Sequence, residues 1–383
     1  MFPEKLHRKL ESRKTDNALR ELGKSNDLVD FSSNDYLGFS KNETIFKASH
    51  ALLNEQNMLQ NGATGSRLLS GNHKLYPIVE KQLANFHNSE SALIYNSGYD
   101  ANIGFFASVP QRGDIILYDA YSHASIRDGM LMSHAKAYKF MHNDLSDLET
   151  LLIRFTEGSA HDKQHIYVVT ESVFSMDGDS PDCIRLVNLC KKYAAYLVID
   201  EAHGLGVFGK HGGGLIQHQG LEKAVFARIV TYGKALGCHG AAILGSDLLK
   251  QYLVNFSRSL IYTTALPPHS LATIHASYTA LEQTQTRQKL KENIQFFKSE
   301  IIKNQLQKLF IESDSAIHCC IISGNDRVKH IAKHIQNSGF DVKPILSPTV
   351  SKGQERLRFC LHAYNTEAQI SEVLKLLAPL VTS

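Results

Sequence analysis

The chain has 383 residues, 43% hydrophobic and 21% charged, which predicts two domains, or one large domain with an appendage, and is too apolar for disorder. Forty-one basic against 38 acidic residues leave a net charge of +3, too balanced for a dedicated nucleic-acid binder. Apolar runs of a few residues fall far short of the ~20 that cross a bilayer, and the start MFPEKLHRKLESRK has no apolar signal region. Membrane, secreted and nucleic-acid-binding classes are thereby set aside, and a cytoplasmic location is expected. The cysteines Cys183, Cys190, Cys238, Cys319, Cys320 and Cys360 form no CxxC pair, so neither a zinc site nor a disulfide framework is expected. Nineteen histidines include no HExxH, and no metal site is expected.

In chain order, the pattern predicts a polar helix over 4–22, a short strand at Leu28–Phe31, a helix at about 44–59 and a glycine-punctuated loop, NGATGSRLLSGN. Helices and short apolar strands then alternate. Helix 74–87 precedes strand SALIY, helix 99–108 precedes DIILYD, and helix 123–132 precedes KAYKF. Helix 144–154 leads to HIYVVT, and helix 182–194 leads to YLVID and RIVTY. Continuous apolar strands alternating with helices predict a mostly parallel sheet covered on both faces. After Leu266 a long helical stretch runs to about 307. Strand IHCCII, helix 326–338, a short strand near Asp341–Lys343, strand RLRFCL and helix 366–379 then suggest a small α+β domain.

Three motifs overlap near residue 200. Gly204, Gly206 and Gly209 spell GxGxxG, but DEAH separates them from strand YLVID, and KHGGGLIQ is not expected to start the helix that a dinucleotide fold requires. The same glycines with Lys210 resemble a P-loop, yet His211 stands where Ser or Thr would hold Mg²⁺. DEAH at 200–203 therefore has no P-loop to serve. The nucleotide-binding reading fails.

The strand ends are more telling, because open α/β sheets place ligands there. HIYVVT is followed by Glu171 and then Ser175; YLVID ends in Asp200 with His203 close behind; RIVTY runs through Thr231 to Lys234. An acid and a lysine are costly to bury together unless a cofactor lies between them. Pyridoxal 5'-phosphate (PLP) needs such parts: a Schiff-base lysine, an acid for its ring nitrogen, a stacking ring and donors for its phosphate. Gly98 and Tyr99, at a helix start, suit the phosphate, and His123 offers the ring. Singly, each has a plainer explanation: Asp200 or His123 as a helix cap, Lys234 as a solvated turn residue, Ser175 and Thr231 as turn and strand residues. The ordered set carries the argument.

The segments FSSNDYLG, GSRLLSGNHKLY, NSGYDAN, SHASIRDG, TESVFSMDGD, IDEAHGLGVFG, TYGKALG, IYTTALPP and SPTV resemble, in this order, the α-oxoamine synthases. The resemblance runs from about residue 17 to about 365. It implies the PLP-dependent transferase fold type I (aspartate-aminotransferase-like): a large domain with a mostly parallel seven-stranded sheet, and a smaller α+β C-terminal domain. Residues 1–44 would form an N-terminal arm, 45–270 the large domain, and 271–383 an interdomain helix and the small domain. Within the family, FSSNDYLG, GSR and SPTV are most similar to the branch that condenses L-alanine with a pimeloyl thioester, the 8-amino-7-oxononanoate synthases. TYGKALG also resembles the glycine C-acetyltransferases, the second expectation.

The resemblance implies Lys234 as the cofactor's lysine, Asp200 on the pyridine nitrogen, His123 stacked on the ring and His203 at its phenolic oxygen. Gly98, Tyr99, Ser175 and Thr231 would line the cofactor pocket. Arg358 would hold the substrate carboxylate, while Arg20 and Thr349 would contact the acyl substrate or product. Thr263 and Thr264 would reach the partner subunit's phosphate in a homodimer with its active site at the interface. Tyr99 stands where Phe is commoner, and Ser347 to Ser351 replaces PPTVP, which leaves acyl chain length open.

Overall fold

The computed structural model describes residues 2–23, 26–157 and 164–382. Helix α1 (Glu4–Thr15) is shorter than the pattern predicts, because Asp16 caps it and Asn17 turns to φ 47°. Strand β1 (Val29–Asp30) and α2 (Glu43–Glu55) come next. The alternating region holds α3 (Leu75–Phe86), β2 (Ser91–Tyr95), α4 (Gly98–Phe106), β3 (Ile115–Asp119), α5 (Ala124–Leu131), β4 (Lys136–Phe140) and α6 (Leu145–Glu157). It continues through β5 (Ile166–Glu171), α7 (Cys183–Lys192), β6 (Tyr196–Asp200), α8 (Leu215–His218) and β7 (Ala227–Thr231). Helix α8 corrects one expectation: KHGGGLIQ does start a helix, but one of a single turn, its Ile216 N–H held by Glu201 Oε1 at 3.0 Å.

Strand β8 (Ala241–Gly245) lies in a segment where the pattern predicts none. Its sequence AAILG continues a glycine-rich turn, and small residues carry little strand signal. Helices α9 (Asp247–Phe256) and α10 (Arg258–Ile261) follow. The expected long helix is two, α11 (Pro268–Gln283) and α12 (Thr286–Lys303). Thr284 breaks it: its backbone is extended at ψ 145°, and its hydroxyl accepts from Thr286 N at 3.1 Å, the competition with helical bonding typical of Thr. Strand β9 (Ile317–Ile321), α13 (Asn325–Asn337), β10 (Phe340–Asp341), β11 (Lys343–Ile345), β12 (Arg356–Cys360) and α14 (Glu367–Thr382) complete the order.

Two compact units result. One comprises residues 1–36, 175–179 and 288–383; the other comprises 37–174 and 180–287. In the first, β11, β12 and β9 form an antiparallel sheet, and β1 pairs with β10 in parallel. Phe297, Phe310 and Phe359 pack together in its core.

The second unit holds a seven-stranded sheet of order β2-β8-β7-β6-β5-β3-β4. Only β8 runs against its neighbours; the pairs of β3 to β7 are parallel. Side chains alternate strictly. Ile116, Val169, Val198 and Ile229 enter one core with Phe105 and Phe106 of α4, whereas Ile115, Val168, Leu197 and Ile199 enter another with Leu148 of α6 and Leu186 of α7. Each such buried side chain contributes roughly 1.5–3 kcal/mol. By the same alternation Glu171, Asp200 and Thr231 emerge on the α4 side. Among the described residues no helix is long and apolar enough to cross a membrane.

Candidate active site

A cavity of about 170 Å³ opens at those strand ends in the second unit, lined by Gly98, Tyr99, Asn102, His123, Ser125, Glu171, Asp200, Ala202, His203, Thr231 and Lys234. Eight residues singled out in the sequence thus meet there: Gly98, Tyr99, His123, Glu171, Asp200, His203, Thr231 and Lys234. Local rules put them in place. Ser97 caps α4, its hydroxyl accepting from Asp100 N at 3.0 Å, so the positive helix end starts at Gly98. A Cβ at Gly98 would sit 3.4 Å from Thr231 and narrow that corner. Lys234 rides the turn between β7 and β8, closed by Gly237 N to Lys234 O at 2.9 Å and Cys238 N to Tyr232 O at 3.0 Å.

Lys234 Nζ lies 2.6 Å from His203 Nε2, within hydrogen-bond distance. Asp200, 6% exposed, accepts from Ala202 N and from Asn102 Nδ2, each at 2.8 Å. Asn102 Nδ2 also donates to Ser125 Oγ at 3.0 Å, and Ser125 Oγ lies 2.7 Å from His123 Nδ1. His123 caps α5, as the plainer reading has it, and also lines the cavity. Glu171 is the cross-strand partner of Asp200 and accepts from His123 N at 2.7 Å. Burial, followed by the neighbouring Asp200, pushes its carboxyl well above the usual range. Burial also lowers the His123 imidazole, which favours its neutral form.

Thr263 and Thr264 do not line this cavity. Asn96 Nδ2 ties them down, 3.2 Å from Thr263 Oγ1 and 2.8 Å from Thr264 O. The remaining predicted residues belong to the first unit. There Arg358, on β12, donates to Ser175 O at 2.7 Å and to Asn34 Oδ1 at 2.9 Å, and Arg20 donates to Thr349 Oγ1 at 3.1 Å.

Asn102, Ser125 and the apolar Ala202 line the cavity without having been singled out in the sequence. A signal for Asn102 was present: it stands four residues after Gly98, on the same helix face.

Comparison with known proteins follows the same lines. The aminotransferase class I and II family matches residues 26–377. The 8-amino-7-oxononanoate synthase of Emericella nidulans is 39% identical over 364 residues, 91% of this chain and 88% of that protein. A putative 8-amino-7-oxononanoate synthase of Methanococcus vannielii is 38% identical, covering 94% of each chain. Among solved structures, a serine palmitoyltransferase of Sphingomonas wittichii superposes with a TM-score of 0.84 at 28% identity, over 91% of this chain and 86% of that one. The 8-amino-7-oxononanoate synthase of Francisella tularensis gives 0.78 at 28% identity, over 94% and 99%. A serine palmitoyltransferase solved with PLP gives 0.85 at 27%, over 93% and 87%.

Proposed function

The chain belongs to the aminotransferase class I and II family and is a PLP-dependent transferase of fold type I; from that premise we propose that it condenses L-alanine with pimeloyl-CoA, or a pimeloyl carrier protein, to give 8-amino-7-oxononanoate, CO₂ and free thiol in biotin biosynthesis. The observation that carries this reading is the single cavity uniting Lys234, Asp200, His123 and His203 in a chain 39% identical to a relative of that name.

The donor set suits the cofactor. Lys234 offers the amine, Asp200 a carboxylate for the ring nitrogen, and His123 a flat neutral ring. The N-terminus of α4 offers N–H donors for a phosphate, with Thr231, whose hydroxyl donates to Gly240 O at 3.2 Å, lining the same cavity, and His203 Nε2 suits a phenolic oxygen. Bound there, PLP supplies an electron sink for the pair left at the amino acid's Cα.

The chain's own groups then divide the work. Arg358 holds the amino-acid carboxylate by a charge-assisted pair. Lys234 Nζ, the amine of the cavity, would take the Cα proton. Cα bonds to the thioester carbonyl carbon, the C–S bond breaks and thiol leaves. The carboxylate departs as CO₂, and a proton returns to Cα. Arg20 and Thr349 meet the acyl chain. The enzyme works as a cytoplasmic homodimer in which Thr263 and Thr264 of each chain reach the other's phosphate.

Thiol release tests the reading with three pairs: pimeloyl-CoA and L-alanine, acetyl-CoA and glycine, palmitoyl-CoA and L-serine. The first pair is expected to dominate. Preference for the second would make the protein a glycine C-acetyltransferase. Preference for the third would follow the serine palmitoyltransferase neighbours.

A further inference from the structure

The unused members of the cavity form a continuous chain. Asn102 is 2% exposed and Ser125 1%. Asp200 Oδ2 lies 2.8 Å from Asn102 Nδ2. An ionised carboxylate only accepts, so the amide nitrogen, not the oxygen, must face it. The other amide proton then points at Ser125 Oγ, 3.0 Å away. At the far end, Ser125 N donates to His123 Nδ1 at 3.2 Å, which marks Nδ1 as an acceptor. The Ser125 hydroxyl therefore directs its one proton to Nδ1 across 2.7 Å.

We propose that Asn102 and Ser125 are positioning residues that tie Asp200 to His123 and confine the His123 proton to Nε2. The proposal rests on the reading in which His123 covers the cofactor ring and Asp200 meets its nitrogen. Its chemical sense is direct: a ring stacked on a protonated pyridine must stay neutral, and an oriented hydroxyl donor at Nδ1 opposes a second proton there. Other groups also bear on His123. Glu171 and Asp200 stand at the ends of β5 and β6, Lys234 on the β7–β8 turn, and Arg127 and Asp128 on α5 itself, with Tyr99 and His203 elsewhere in the lining. At Nδ1 itself the bonding group is Ser125, through its hydroxyl and its backbone N–H.

The test is nitrogen-15 NMR of the histidine-labelled full-length protein, with PLP loaded and after its removal. The His123 signal is assigned as the one missing from His123→Asn. In the parent, Nδ1 should be unprotonated and Nε2 protonated. Ser125→Ala and Asn102→Ala keep the backbone N–H of residue 125 at Nδ1, so they should weaken the preference for the Nε2 tautomer measurably and raise the His123 midpoint by about 0.5–1 pH unit, the equivalent of one neutral hydrogen bond. Ser125→Thr, which keeps the hydroxyl, should behave as the parent. In the loaded enzyme, the pH midpoint of the cofactor's visible band should move in both alanine variants and stay fixed in Ser125→Thr. If Asn102→Ala does not fold, Ser125→Ala, which removes one oxygen, decides alone. Parent-like tautomers and midpoint in a folded Ser125→Ala protein would overturn the relay even if PLP binds normally. Failure to take up PLP beside the expected tautomer change would overturn the cofactor reading and leave the relay standing.

Discussion

Replacing Arg228 with Met puts the inner face of the sheet to a quantitative test. Arg228 Nη1 lies 3.3 Å from Glu201 Oε2, with the two residues 3% and 0% exposed, and Arg228 Nη2 also holds His87 O at 2.5 Å. Burial already raises the Glu201 carboxyl. Without its counter-charge the acid has one escape, which is to take a proton. From an ordinary Glu value of ~4.3, protonation at about pH 7 costs roughly 2.7 units at 1.36 kcal/mol each, or about 3.7 kcal/mol. That falls within the ~3–5 kcal/mol expected for breaking a buried pair. The sign is fixed: the folded variant holds the proton more tightly than the unfolded chain, so its deficit grows as pH rises from the ordinary Glu value. At about pH 5.5 the deficit should shrink to about 1.6 kcal/mol. Equilibrium urea unfolding of parent and variant at the two pH values measures both. Removing the two charges together, Arg228→Met with Glu201→Leu, should recover most of the loss. A deficit below about 1 kcal/mol near neutrality, or one independent of pH, would refute the reasoning.

Other substitutions probe the cavity itself. Lys234→Ala should abolish thiol release and the covalent yellow adduct with added PLP; turnover close to the parent's would remove Lys234 from the chemistry. Asp200→Asn should still take up PLP, measured by equilibrium titration, yet lose at least about 100-fold in kcat if an ionised partner at the ring nitrogen sustains the electron sink. Gly237→Ala should destabilise by about 2 kcal/mol or more and weaken PLP binding, because Gly237 sits at φ 60° and a Cβ would fall 2.1 Å from Ser40 N. Gly339→Ala is the control: φ is 100° but nothing lies within 4 Å of its Cβ, so melting should fall less and PLP affinity should hold.

Most of the sheet was legible because its central strands are short, largely apolar runs set between helical segments, and six of the seven strands could be read from local text alone. Strand β8 was not, since AAILG gains its strand character from two antiparallel partners far away in sequence. The break at Thr284 was hidden for a similar reason: helical periodicity resumes on either side, and a single hydroxyl decides the cap. In the cavity, the charged and ring-bearing residues stood out by type at strand ends. For Asn102 the sequence offered only its place one turn after Gly98; what its amide does becomes visible once Asp200 is placed 2.8 Å from it.

The DEAH text shows why a motif is less informative than the register that holds it. Val198 and Ile199 face opposite cores, so Asp200 must follow Val198 toward α4, and the next residue turns away from it. Arg228 precedes Ile229, which shares the Val198 side, and its own side chain therefore projects to the opposite face. Glu201 and Arg228 meet there and bond to each other. One step of chain thus separates an acid free to serve a ligand from an acid consumed in bracing two strands. Exchanging them is not conservative despite identical charge at either site. Asp200→Ala/Glu201→Asp should lose cofactor chemistry, while Glu201→Gln should cost mainly stability. The division follows from two-residue periodicity and one buried arginine, and it is what makes Asp200 the ligand-facing acid of the pair.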